Sequence, residues 1–348
     1  MAERIGKRTV EFKNVYVHSY AAVVGKKEGE GPMKDWFDKI YTDEYMNSKS
    51  FEQAESKFQK QVLETALTKG NMSATELDYV LAGDLLNQCI GSSFGIRDMG
   101  VPFLGLYGAC STMALSLGLT SILVDSGAAK KAAAMTSSHF CSSERQFRFP
   151  LEYGCQRTPT SQWTVTGAGA AILTSDKTDV KVTRYLAGEI VDLGIKDANN
   201  MGAAMAPAAY ETISEFLSDT KTKPSDYDCI FTGDLGFVGS QILYELMKRD
   251  GIDLKPYHND CGMMMFNREE QDVHAGGSGC GCVASITCGY ILPNLKVGKL
   301  KKSACLRNGC IAFNRFNTAG GIHTLHRSLR PTREHNRRFQ MTALSFPI

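Results

Sequence analysis

The sequence predicts an α/β fold: two pseudo-repeated halves meeting face to face in a layered α/β/α/β/α body. Three observations point to it. SATELDYVLAGDL (73 to 85) aligns with KPSDYDCIFTGDL (223 to 235), setting Asp78 on Asp228, Val80 on Ile230 and Gly83-Asp84-Leu85 on Gly233-Asp234-Leu235. Each segment follows a stretch with apolar residues three and four apart, FEQAESKFQKQVLETALTKG and PAAYETISEFLSDTK, so a helix leads into a β-branched strand twice. The register then continues without a gap, bringing Tyr107 onto Tyr257. Alternating units of this kind form mostly parallel sheets covered by helices.

Along the first half, an opening strand contains His18, read as structural, and the amphipathic helix and the strand through Gly83 follow. No residue from Val101 to Val124 is charged, a length that could cross a bilayer as a helix. Its Pro, Gly, Ser and Thr content divides it instead into a buried strand, VPFLGLYGA, and a buried Met/Leu-rich helix. AAAMTSS and TVTGAGAAIL read as further strands, and a polar turn at TSDKTD closes the half. The predicted organisation is 1–175, 176–302 and a compositionally distinct tail, 303–348. The excursions after Asp84 and Asp234 should overhang the strand ends, where such sheets bind ligands.

The 348 residues are 43% hydrophobic and 22% charged with net charge +2, ample for a core and without a Lys/Arg stripe interleaved with aromatics. No nucleic-acid partner is expected. MAERIGKRTVEFKNVYVHSY has no apolar core before a small-residue cleavage site, so no secretory signal is read. The eleven cysteines lie in apolar, small-residue surroundings and read as reduced thiols. Cys280, Cys282 and Cys288 are spaced C-x-C-x5-C without the paired C-x2-C knuckles of structural zinc, and neither metal nor cofactor is expected.

LYGACSTM sets Cys110 at the turn between a buried strand and a helix, where the helix N-terminus favours a thiolate. Gly108, Ala109 and Ser111 permit a sharp turn and close approach by a ligand. The unpaired first-turn amides would also bind an anion without chemistry, and a small core residue is the third reading. These local features leave nucleophile, binding site and core filler open.

The duplicated pattern, the GACST elbow, TVTGAGAAIL and the HAGGSGCGCVAS loop resemble the thiolase fold of condensing enzymes. More narrowly, GKRTVEF, LAGDLLNQC, LYGACSTM, SSERQFRFPLEYGCQRTPTSQWTVTGAGAAIL, FTGDLGFVGSQIL and DCGMMMF resemble the stage V sporulation protein AD family of endospore-forming bacteria, from about residue 4 to about residue 302. Residues 137 to 173 carry the family-specific part. The resemblance implies binding of dipicolinic acid (pyridine-2,6-dicarboxylate), with calcium, for movement into the developing spore. It implies other stage V sporulation membrane proteins as partners, a peripheral place at the inner membrane of forespore and spore, and no catalysis. By analogy with thiolase-like proteins a homodimer is expected.

Thiolase-like enzymes take a base from the second half. Where one group has a His-Gln-Ala-Asn type turn, this chain has Thr232, Gly233 and Asp234, and the Gly-His-Pro histidine of another group would fall near Cys280. His258 and His274 are the remaining candidates to approach Cys110. A planar dianion calls for fixed donors at two edges, which Arg145, Arg148 and Arg157 would supply among Phe147, Phe149, Tyr153 and Trp163; the bland alternative is surface pairing with Glu144 and Glu152. Asp84, Asn87 and His139 join Cys110 and Ser111 in the expected ligand pocket, and an acyl-transfer or condensing enzyme using Cys110 is the alternative. After Lys302 the resemblance lapses: 303–348 contain no lysine and a single acid, Glu334. A shift of reading frame, or a basic arm for anionic lipid, would account for this, and a missing terminal strand would open a sheet edge.

Overall fold

The computed structural model describes residues 1–147, 157–306 and 309–316. Five strands of the first half, β1 (Tyr16–Gly25), β2 (Tyr79–Gly83), β3 (Phe103–Gly105), β4 (Lys131–Ser138) and β5 (Gly167–Thr174), lie in the order β3-β2-β4-β5-β1. The second half repeats it with β6 (Val180–Ala187), β7 (Cys229–Thr232), β8 (His258–Asp260), β9 (Lys302–Leu306) and β10 (Gly309–Arg315) in the order β8-β7-β9-β10-β6. In both, the fifth strand runs antiparallel to its neighbours and the second pairs in parallel with the third and fourth. One β1–β6 pair, Tyr16 with Lys181, joins the two sheets.

The main helices are α1 (Phe51–Lys69), α2 (Ile90–Ile96), α3 (Thr112–Asp125), α4 (Phe140–Phe147), α5 (Met201–Thr220), α6 (Gly236–Arg249), α7 (Cys261–Met265), α8 (Cys280–Ile286) and α9 (Leu292–Val297). Strand alternation sorts side chains into three cores. Ala133 and Met135 of β4 face α1 on one outside, while Ala132 and Ala134 face the middle. Cys310 and Ala312 of β10 face α5 and α6 on the other outside, while Ile311 and Phe313 again face the middle. That middle core contains Met113 and Leu117 of α3 with Cys282, Val283 and Ala284 of α8. Both sheets thus share one helical layer, so Met1–Phe316 forms one compact unit.

The β5 sequence GAGAAILT is wholly buried, and its lack of bulk lets α8 approach: a Cβ on Gly169 would stand 2.3 Å from the Ala284 carbonyl oxygen. The uncharged run from Val101 becomes β3 followed by α3. By length and composition Cys280–Val297 could cross a membrane, but 78% of it is buried in the core.

Two expectations are corrected. The ungapped register fails beyond the second strand: Val80 pairs with Phe103 and Ile230 with His258, so Tyr107 follows β3 whereas Tyr257 precedes β8. The excursions differ in length, and loops tolerate such differences at little cost. The break at residue 303 is also misplaced. β9 and β10 form and pair with β7 and β6, closing the second sheet, because SACL and GCIAFN still alternate between the outer and middle cores. Arg327, Arg330, Arg333, Arg337 and Arg338, which set the tail apart, lie outside the described residues.

Candidate functional site

The elbow is built on a close approach of β2 and the segment after β3. Leu106 N–H donates to the Ala82 carbonyl at 2.8 Å, and a Cβ on Gly83 would lie 1.9 Å from the Leu106 oxygen, so only glycine fits. The chain then reverses with Ala109 at φ +46°, a left-handed conformation costly for a residue with a Cβ. Ser111 Oγ donates to the Gly108 carbonyl at 2.5 Å and Thr112 Oγ to the Ala109 carbonyl at 2.6 Å, holding the turn. Cys110 emerges half-buried at the head of α3, with Ser111 buried beside it. The exposed Tyr107 and the buried Cys280 and Cys282 lie within electrostatic reach of its thiol.

Cys280, the first residue of α8, is where the sequence placed the missing histidine. Its thiol donates to the Ser137 carbonyl at 2.9 Å, and burial, followed by the nearby Cys110 charge, pushes it well above the ordinary thiol range. The same thiol feels Glu55 and Asp84. Cys110 and Asp84 thus both lie within electrostatic reach of the Cys280 thiol.

Asp84 is fully buried and accepts from Leu86 N–H at 2.8 Å, Ser92 N–H at 2.7 Å and Ser92 Oγ at 2.6 Å. Those bonds fasten a turn in which Gln88 and Cys89 both take positive φ, with Asn87 exposed beside them. Burial raises the Asp84 carboxyl despite these donors. Glu55 of α1, unremarked in the sequence, accepts from Ser137 Oγ at 3.0 Å and Ser142 Oγ at 2.7 Å and is pushed up to about 8, first by burial and next by Asp84. Gln59, one turn on, reaches the Gly83 carbonyl and Ser137 Oγ at 3.0 Å. Two polar residues four apart on the buried face of an amphipathic helix were the available signal.

The remaining candidates are engaged elsewhere. His139 is fully buried against Phe51 and Phe58, with Nε2 at 2.8 Å from the Glu44 carbonyl and Nδ1 accepting from Cys141 N–H, so it is a core histidine rather than a pocket donor. Arg145 is exposed and pairs with Glu52 at 3.3 Å, so it has a surface partner on α1. Arg148 lies outside the described residues. Arg157 pairs with Asp272 at 2.9 Å and covers the Trp163 ring. His258 binds Tyr244 Oη at 2.9 Å and Thr232 Oγ at 2.8 Å, and desolvation pushes it down to about 3; His274 pairs with Asp272. Among the described residues no histidine is hydrogen-bonded to Cys110. A groove of about 1000 Å³ runs between α1 and α2 and does not include Cys110.

Two duplicated sheets around a shared helical layer, with a cysteine elbow at its head, define a thiolase-fold protein. Solved structures agree: a variant of OleA of Xanthomonas campestris with cerulenin superposes with TM-score 0.60 at 11% identity, over 88% of this chain and 98% of that one. 3-oxoacyl-[acyl-carrier-protein] synthase III of Aquifex aeolicus gives 0.53 at 15%, over 86% and 99%, and the tetronic acid condensing enzyme AbyA1 gives 0.55 at 15%, over 86% and 99%. Residues 6–317 match the stage V sporulation protein AD family, and the chain is 42% identical to stage V sporulation protein AD of Bacillus subtilis over 307 residues, 88% of this chain and 90% of that protein. The chain belongs to the stage V sporulation protein AD family.

Proposed function

We propose that this chain binds dipicolinic acid, as the free dianion or as its calcium chelate, without turning it over. It would serve uptake of the acid into the developing spore within a membrane transport assembly. Membership of a sporulation family supports the setting. The observation that carries the binding reading is a half-buried thiol at a helix head with no imidazole bonded to it among the described residues, while His258 and His274 are committed to other groups. Such a site offers backbone amides and a polar thiol to an anion but lacks the base that a cysteine nucleophile ordinarily uses. Asp84, already supplied with donors, need not repel the ligand, because burial favours its neutral form.

The protein would act peripherally at the inner membrane of forespore and spore, with other stage V sporulation membrane proteins as partners and no nucleic acid. Edge strand β3, with exposed Leu104 on it and exposed Ile90, Phe94 and Tyr107 on the segments before and after it, supports pairing with a second copy. The competing reading, a condensing or acyl-transfer enzyme, is favoured by the placement of Cys110 at the elbow.

Calorimetric titration of dipicolinate into the full chain, with and without calcium, separates the two readings. Saturable binding that Cys110→Ala weakens, with no acyl group acquired from acyl-CoA, supports the first. Absence of binding together with stoichiometric acylation of Cys110 overturns it.

A further inference from the structure

We propose that Lys27, Arg157 and Trp163 form a station for an oxyanion, a carboxylate or a phosphate group, beside the glycine-rich loop that leads to Cys280 and separate from the elbow. Phe140 stacks on one face of Trp163, with ring centroids 3.8 Å apart and planes at 8°. The other face is thereby left to two cations, the Lys27 ammonium 3.8 Å and the Arg157 guanidinium 4.7 Å from the ring centroid. Trp163 is fixed by its backbone N–H bond to the Gly276 carbonyl, and the next residue, Thr164, packs at Gly279.

Two like charges on one ring repel; Asp272, Glu28 and Glu30 draw on the Lys27 ammonium, but none of them forms an ion pair with it among the described residues. Asp272 takes Arg157 through one nitrogen and also meets His274 at 3.3 Å, and its own side chain is 77% exposed. Among the described residues, Arg157 Nη1 is buried with no hydrogen-bond partner and the Lys27 ammonium has no ion pair or hydrogen bond. Burial, and after it the Arg157 charge, lowers the Lys27 ammonium from its ordinary range. A buried unpaired guanidinium nitrogen is costly, and a cation pair held on a ring is relieved by an anion spanning both. One oxygen of a carboxylate or phosphate would take Nη1 and another the ammonium. The cation–π contacts orient both donors before the anion arrives, which limits the ordering cost of binding.

This inference does not rest on the dipicolinate reading, and its test keeps the two apart. The chain has two tryptophans, so in a Trp36→Phe background the emission reports Trp163 alone. Inorganic phosphate and malonate are titrated separately at constant ionic strength. A saturable change with either supports the station and tells which group it takes. Lys27→Gln and Arg157→Gln should each raise the half-saturating concentration roughly tenfold or more, as loss of one charged hydrogen bond implies, and Lys27→Arg should restore it. Cys110→Ala should leave the curve unchanged, with circular dichroism confirming that each variant is folded. No saturable change with either anion, equal curves in the Gln variants, or loss of the response in Cys110→Ala would overturn the proposal.

Discussion

Asp78 and Asp228 make the same contacts in the two halves. Asp78 Oδ2 accepts from the Lys130 and Lys131 amides at 2.7 and 3.0 Å, and Asp228 Oδ2 accepts from the Lys301 and Lys302 amides at 2.7 and 2.9 Å. Each also donates its own N–H across to Lys131 or Lys302, so one residue anchors the start of the fourth strand of its sheet. Asp78→Ala and Asp228→Ala should therefore destabilise the fold by similar amounts, about 1 to 3 kcal/mol each, because both remove a charged acceptor from two amides. Chemical denaturation compares them directly; a loss confined to one variant would mean that the two clamps are not equivalent.

Among the cysteines of the described residues, Cys110 should react first with iodoacetamide in the native chain. Cys141 and Cys229 are also half-buried, but burial pushes their thiols up to about 11 and about 12, leaving little thiolate near pH 8. Peptide mass spectrometry of briefly labelled protein should find modification at Cys110 well ahead of both, and dipicolinate should slow it.

Stability should fall as pH rises through the weakly acidic range. Glu28 is fully buried, accepts from the Thr166 amide at 2.9 Å and is pushed from 4.5 up to about 7, chiefly by burial. The folded state therefore holds this proton longer than the unfolded chain does. The resulting stabilisation is fully present below about pH 4.5 and is lost as pH rises to about 7, a difference of about 3 kcal/mol for this group. Glu28→Gln should flatten that part of the stability profile between about pH 5 and 7.5, measured by urea midpoints; an unchanged slope would remove Glu28 as its source.

Gly83→Ala should damage the elbow without touching it chemically. Its Cβ would fall 1.9 Å from the Leu106 oxygen, which cannot retreat without shifting the segment that leads to Cys110. Overpacking of this kind costs about 1 to 3 kcal/mol, so the variant should melt lower and the labelling rate at Cys110 should change with it. A normal melt with an altered rate would localise the strain to the turn.

Phe313→Ala tests the closed second sheet. Phe313 is fully buried in the middle core on β10, and its truncation should cost about 3 to 5 kcal/mol, readable by thermal denaturation. A frame-shifted, unfolded segment at that position would make the substitution silent.

The layered plan was legible because the repeat preserves Asp78 and Asp228, whose role is local to each half. The elbow was legible because small residues flanking a cysteine have few other uses, although the positive φ belongs to Ala109 rather than to a glycine. What stayed hidden depends on distant partners. His139 is claimed by Glu44 and two phenylalanines far from it in sequence, and Arg145 by a carboxylate on α1. Glu55 looked like an ordinary helix charge, because its burial follows from Ser137, Ser142 and Asp84 converging on it. The misplaced break at residue 303 came from composition averaged over two strands and the arginine-rich stretch beyond them, which erased the alternation that builds β9 and β10.

The bare surface of β5 acts as a gauge for the whole body. With only hydrogen at Gly169, the separation between the first sheet and α8 is fixed by backbone against backbone, and Cys280 at the head of α8 inherits its position from that contact. A residue with no side chain, in the middle of a strand, therefore sets how far the two cysteine-bearing helix heads stand from one another. Natural variation at Gly169 should be read as variation in the spacing between the first sheet and α8, and with it in the placement of Cys280.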